Sequence, residues 1–116
     1  MQYSAVFHVD QNAEPVFNLA LNNVINLLGA IPGQEHDLII LVNGPAVALL
    51  ARDNAAPFLE RIKALAFQGV RLQACANALK RFEVDPARLI AGVEIIPAGI
   101  VALIDLQKAG YAYIKP

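Results

Sequence analysis

The sequence predicts a single-domain α/β fold, a three-layer sandwich in which helices cover both faces of a five-stranded, mainly parallel sheet. Three observations carry that expectation. Short runs rich in β-branched and aromatic residues alternate with stretches of helical periodicity, which calls for βαβ units with right-handed crossovers. The run Asp37–Val42 is apolar after its first residue, the profile of a strand buried on both faces. The chain has 116 residues, the ordinary size of one domain and too few for two independent cores.

The first strand is expected over Tyr3–Val9, which stops at the turn-forming cluster Asp10-Gln11-Asn12. From Glu14 a helix follows, with Val16, Leu19, Ala20, Val24, Leu27 and Leu28 at helical spacing and Pro15 suited to its first turn. Gly29 to Gly33 supplies the stop. Asp37–Val42 is the second strand and ends at Asn43-Gly44-Pro45. After a short helical piece around Ala46 to Leu50, Pro57–Phe67 forms a helix with Phe58, Ile62, Leu65 and Ala66 on one face, ended by Gly69. The third strand, Val70–Cys75, leads into helical Ala76–Phe82 with no glycine or proline between them. Val93–Ile96 is a short fourth strand, Gly99–Lys108 a helix with an apolar surface, and Tyr111–Lys115 the closing strand.

Composition excludes several classes of function. Nine basic and ten acidic residues are scattered along the chain, so no basic stripe exists to track a nucleic acid. No apolar run reaches the roughly 18 to 20 residues of a membrane span, since Leu38 to Ala51 is interrupted by Asn43, Gly44 and Pro45. Met1-Gln2-Tyr3-Ser4 lacks a basic export signal, so a cytoplasmic location is expected. A single cysteine forms no internal disulfide, and no paired ligands stand at metal-binding spacing, so neither a metal site nor a cofactor is expected. Gly29-x-x-x-Gly33 follows a helix and is no dinucleotide fingerprint. The 57% hydrophobic fraction against 16% charged is high for so short a chain and points to apolar surface buried against another subunit.

Parallel α/β sheets place ligands outside the carboxyl ends of their strands. His8 and Asp10 follow the first strand, Asn43 and Gly44 the second, Cys75 and Asn77 the third, and Pro97 to Gly99 the fourth. Cys75 at the amino end of a helix would feel unpaired N–H groups and the positive end of the helix dipole, which favour thiolate. A free cysteine that merely fills a small apolar gap is the competing reading. His8 is a candidate acid or base for the sulfur, a partner for a bound anion, or a group satisfying a backbone carbonyl. Asn43-Gly44-Pro45 offers N–H groups to an anion or serves only as a turn. Asn77 is a helix cap or a site residue, Asp10 is expected to be a turn or cap residue, and His36 an exposed loop residue.

The chain resembles the DsrE/DsrF-like, or YchN-like, family of small α/β proteins connected with sulfur relay. The likeness rests on Val6-Phe7-His8-Val9-Asp10, Ala20-Leu21-Asn22-Asn23, Val42-Asn43-Gly44-Pro45, Gly69-Val70 through Ala74-Cys75-Ala76-Asn77, and the ending Gln107 to Pro116. It implies that Cys75 matches the cysteine that carries transferred sulfur as a persulfide, with donor and acceptor proteins as partners and assembly as a homotrimer or hexamer. A sulfur carrier or sulfurtransferase is therefore the leading expectation. The alternative is a non-enzymatic oligomeric binding protein whose pocket at the strand carboxyl ends takes a small anion or metabolite, with Cys75 only lining it.

Overall fold

The computed structural model describes residues 2–116. Five strands form one sheet, β1 (Tyr3–Val9), β2 (His36–Val42), β3 (Arg71–Cys75), β4 (Val93–Ile96) and β5 (Ala112–Ile114). Their order is β4-β3-β2-β1-β5, and every neighbouring pair is parallel. The helices are α1 (Glu14–Ala30), α2 (Arg52–Ala55), α3 (Leu59–Phe67), α4 (Ala76–Arg81) and α5 (Gly99–Lys108), with 3₁₀ turns at Gly44–Leu50, Ala56–Phe58 and Pro86–Arg88.

Strand order and handedness together decide which face each helix covers. From β1 to β4 the chain advances in one direction across the sheet, and α1, α3 and α4 then pack on the same face. The return from β4 to β5 runs the other way, so its crossover helix α5 lies on the opposite face. Two separate apolar clusters reflect this division. The larger contains Phe7, Leu38, Ile40 and Leu72 with Phe17, Leu21, Phe58, Leu65 and Leu79. The smaller holds Val6, Ile39 and Leu41 beneath Leu103 of α5. The expected three layers are therefore present, but the second outer layer is a single helix. Its Ile100, Val101 and Ile104 remain 64%, 53% and 48% exposed.

Most element boundaries follow the sequence, and the departures have local causes. Gly29 lies inside α1, which runs on to Ala30, and the helix stops at Ile31-Pro32-Gly33, where Gly33 takes φ +74°. The buried stripe of α1 is Phe17, Ala20, Leu21 and Val24, whereas Leu19 is exposed. Pro57 does not begin an α-helix; it sits in a 3₁₀ turn that precedes α3. His36 is a correction: it is the first residue of β2 and half-buried, and its Nδ1 is buried without a hydrogen-bond partner among the described residues. β2 starts early because Tyr3 N–H donates to Glu35 C=O and draws His36 into register with Tyr3.

The short strand β5 pairs only with β1, but three side chains at alternate positions anchor it. Tyr111 donates to the Asp37 carboxylate, Tyr113 meets His8, and Lys115 donates to Asp10. The hydrogen bond from Lys115 holds the Asp10 carboxyl below its ordinary range, partly opposed by burial and reinforced by the lysine's charge. Asp10 is thus the partner of the chain's last lysine, not a helix cap; the residue before α1 is Ala13. Because the folded state depresses this carboxyl, its contribution to stability is present above the unfolded-state value of about 3.9 and is lost as pH falls through the lower folded value. The stability difference between wild type and Lys115→Met, measured by urea unfolding, should be present at neutral pH and shrink progressively as pH falls below the unfolded-state carboxyl value of about 3.9. A difference that persists undiminished in acid would contradict this assignment.

Candidate functional site

The carboxyl ends of β3 and β4 lead to helices on opposite faces, α4 on one and α5 on the other. Adjacent strands that diverge in this way open a crevice, the topological switch point of an α/β sheet. Cys75 is the last residue of β3 and stands at that crevice, with extended backbone (φ −77°, ψ 120°) as the chain turns directly into α4. An open cleft of about 230 Å³ lies between α4 and α5 above it, with Asn43, Gly44, Cys75, Asn77, Arg81 and Gly99 among its walls.

The hydrogen bond to the sulfur comes from the other side of the crevice. Gly99, the first residue of α5, donates its N–H to Cys75 Sγ at 3.3 Å. Space is tight there: a Cβ would lie 3.1 Å from Asn43 Cβ and Nδ2 and 3.4 Å from Cys75 Cβ, so a larger residue would need these neighbours to shift. The amino end of α5 therefore lies close to both the Asn43 side chain and Cys75. Cys75 as a residue is 6% exposed and lines this cleft.

Asn43 continues β2 in extended form, its N–H donating to Val9 C=O at 3.1 Å. Gly44 then turns the chain with φ +57°, where a Cβ would sit 3.2 Å from the Asp10 carbonyl oxygen. This sharp turn fixes the direction of the Asn43 side chain. Its Oδ1 stands 2.7 Å from His8 Nε2, and its Nδ2 faces Gly99. His8 Nδ1 in turn lies 2.6 Å from the Tyr113 hydroxyl oxygen, with the two rings tilted by 58°. Imidazole, only 9% exposed, thus has both nitrogens engaged.

Cys75, Asn43, Gly44 and Asn77 are brought together as the sequence suggested. His8 reaches the group only indirectly: it does not line the cleft, and Asn43 separates it from the Cys75 side. Asn77 lies one residue inside α4, beyond the cap position that Cys75 occupies, so it is a wall of the cleft and not a cap. Tyr113 and Arg81 were not anticipated, whereas Gly99, expected on the rim after the fourth strand, supplies the N–H that meets the sulfur. Arg81 is the single charged residue on the cleft wall, its guanidinium 5.9 Å from the Phe82 ring centroid, with no carboxylate partner among the described residues. Tyr113 had a signal in the sequence, because Tyr111, Tyr113 and Lys115 place polar tips at period two on one strand face. A larger groove of about 480 Å³ between α1 and β5 is walled mostly by apolar residues, with the Ser4 and Tyr3 side chains and two asparagines but no charged residue on its wall.

Fold and site together define a parallel α/β domain with a thiol at its topological switch point. A sequence model of the DsrE/DsrF-like family matches residues 2–116, and the chain belongs to that family. Among solved structures, protein MTH1491 of unknown function from Methanobacterium thermoautotrophicum superposes with TM-score 0.89 at 31% identity, over 98% of this chain and 99% of that one. The ychN protein of E. coli gives TM-score 0.75 at 23% identity over 100% of both chains. The conserved protein BT1422 of unknown function from Bacteroides thetaiotaomicron gives 0.75 at 20% identity, over 97% and 93%. The chain matches none of the curated proteins compared with it.

The contact at Gly99 yields a direct test. Gly99→Ala should push Asn43 and Cys75 apart and slow alkylation of Cys75 by iodoacetamide at least several-fold, while circular dichroism stays that of the folded domain. An unchanged alkylation rate would show that the sulfur is reached by another route.

Proposed function

We propose that this protein is a sulfur carrier or sulfurtransferase that holds sulfur as a persulfide on Cys75. The observation that carries the reading is the setting of Cys75 Sγ, which accepts the Gly99 N–H at the amino end of α5 and opens on a cleft at the switch point. The positive end of a helix dipole and an aimed N–H favour negative charge on the sulfur as it forms or leaves. Membership of a family associated with sulfur relay supports the same reading.

The transfer needs no external oxidant. Cys75 thiolate attacks the outer sulfur of a donor persulfide, the S–S bond of the donor breaks, and its thiolate leaves, so that Cys75 carries –S–SH. An acceptor thiolate then attacks that outer sulfur and releases Cys75 thiolate. As the chain has one cysteine, the acceptor sulfur belongs to another molecule. Asn43 and Asn77 line the path of the incoming donor, and Gly44 sets the backbone turn that holds Asn43. His8 orients Asn43 and leaves proton transfer at the sulfur to solvent or partner. A cytoplasmic setting suits a lone unpaired thiol. Assembly as a homotrimer or hexamer would cover Ile100, Val101 and Ile104 of α5.

Mass spectrometry after incubation with a persulfide donor should find a gain of one sulfur atom that is absent from Cys75→Ala. A wild-type chain that gains no sulfur from any persulfide donor would overturn the assignment.

One observation favours a second reading, the binding of a small anion without chemistry. The Arg81 guanidinium and the NH₂ groups of Asn43 and Asn77 are donors available on the cleft wall, and Arg81 adds a positive charge. On that reading a small anion raises the melting temperature, and the rise survives Cys75→Ser but not Arg81→Ala. Loss of the rise in Cys75→Ser alone would return the site to sulfur chemistry.

A further inference from the structure

Three residues remote in sequence form one hydrogen-bonded line, Tyr113 to His8 to Asn43, and it ends beside Gly99 and Cys75. Register explains how they meet. Val6 stands opposite Tyr113 and His8 opposite Leu41, so Tyr113 and His8 are diagonal neighbours on the face that α5 covers. Asn43 follows two residues after Leu41 and lies on that same face. The line therefore runs across three adjacent strands from the sheet edge to the switch point.

Donor and acceptor chemistry fixes its direction. The amide oxygen of Asn43 only accepts, so the hydrogen of that 2.7 Å bond is carried by His8 Nε2. In neutral imidazole the other nitrogen is then an acceptor, and the hydrogen between Nδ1 and Tyr113 comes from the tyrosine hydroxyl. The remaining amide group, the Asn43 NH₂, is left facing Gly99, whose own N–H meets the sulfur. Without the Tyr113 hydroxyl, Nδ1 would lose its donor, and the proton would be free to occupy either ring nitrogen. With the proton on Nδ1, Nε2 would repel the Asn43 oxygen and favour rotation of the amide by half a turn.

We propose that Tyr113 is a positioning residue for the Cys75 site, selecting the Nε2–H tautomer of His8 and thereby aiming the Asn43 amide N–H groups at the cleft. The sheet itself supplies the reason that β5, three residues long, is so heavily anchored: Tyr111 to Asp37 and Lys115 to Asp10 hold the strand on either side of Tyr113. The proposal rests on the Cys75 reading for its purpose but not for its test.

The test combines nitrogen-15 NMR of the His8 ring with the rate of Cys75 alkylation by iodoacetamide, at about pH 8, above the reference histidine range. Wild type should show a protonated-type Nε2 and an unprotonated-type Nδ1. Tyr113→Phe should move both resonances toward averaged values and change the alkylation rate about tenfold, the worth of one well-made hydrogen bond. Tyr111→Phe, which removes the tyrosine hydroxyl just before β5, should leave tautomer and rate unchanged. Retention of the Nε2–H signature in Tyr113→Phe would overturn the proposal. So would an unchanged alkylation rate, or an equal change in Tyr111→Phe, which would mark simple loosening of β5. Because neither readout involves a persulfide, failure of sulfur transfer leaves this test decisive in its own right.

Discussion

Handedness of the crossovers is the constraint on which the rest of this molecule depends. Right-handed βαβ connections put every helix of the outward walk from β1 to β4 on one face, and force the return helix α5 onto the other. The crevice between β3 and β4 is a consequence of that reversal. It lies where α4 and α5 part company, and the chain places its lone cysteine there. A different strand order with the same elements would leave Cys75 at the end of a strand but without the amino end of α5 opposite its sulfur.

The site is then built by close approach and not by charge. Gly99 lets the α5 backbone approach both Asn43 and Cys75 closely, and among the described residues its N–H is the one hydrogen-bond donor that reaches Sγ. Gly44, with its left-handed backbone against the Asp10 carbonyl, sets the turn from which Asn43 projects. Beyond these contacts the polar groups form a second tier that acts through Asn43: His8 holds the amide and Tyr113 holds the imidazole. Arg81 alone brings a formal charge to the cleft wall, which limits what long-range electrostatics contribute there.

Much of this arrangement was legible in the chain before any coordinates. β-branched runs and helical periodicity located the elements because burial on both faces of a parallel sheet leaves long apolar strands such as Leu38–Val42. The junction of Val70–Cys75 with helical Ala76 marked the sulfur, since no turn residue separates them. Strand order was not legible, and with it went the meaning of Gly99: a glycine at the start of a helix is unremarkable until β4 is known to lie beside β3. Tyr113 escaped for the same reason, because its closeness to His8, 105 positions away, exists only once β5 returns to pair with β1. His36 was misread because neighbouring Glu35 and Asp37 suggest a solvated loop, whereas pairing with Tyr3 draws it into the sheet. The apolar surplus found a partial account in Ile100, Val101 and Ile104 of α5, which the single chain leaves in solvent.

The role proposed for Cys75 is to present its sulfur to the crevice between α4 and α5 so that a further sulfur can be carried there. A high-resolution crystal structure of the protein after exposure to a persulfide donor addresses it most directly. Density is expected for one added sulfur atom on Sγ, directed into the cleft toward Asn77 and Arg81, with the Gly99 N–H still turned toward Cys75. An unmodified Sγ in protein that has been fully exposed to donor, or a sulfur packed into the apolar core with the cleft closed above it, would contradict it.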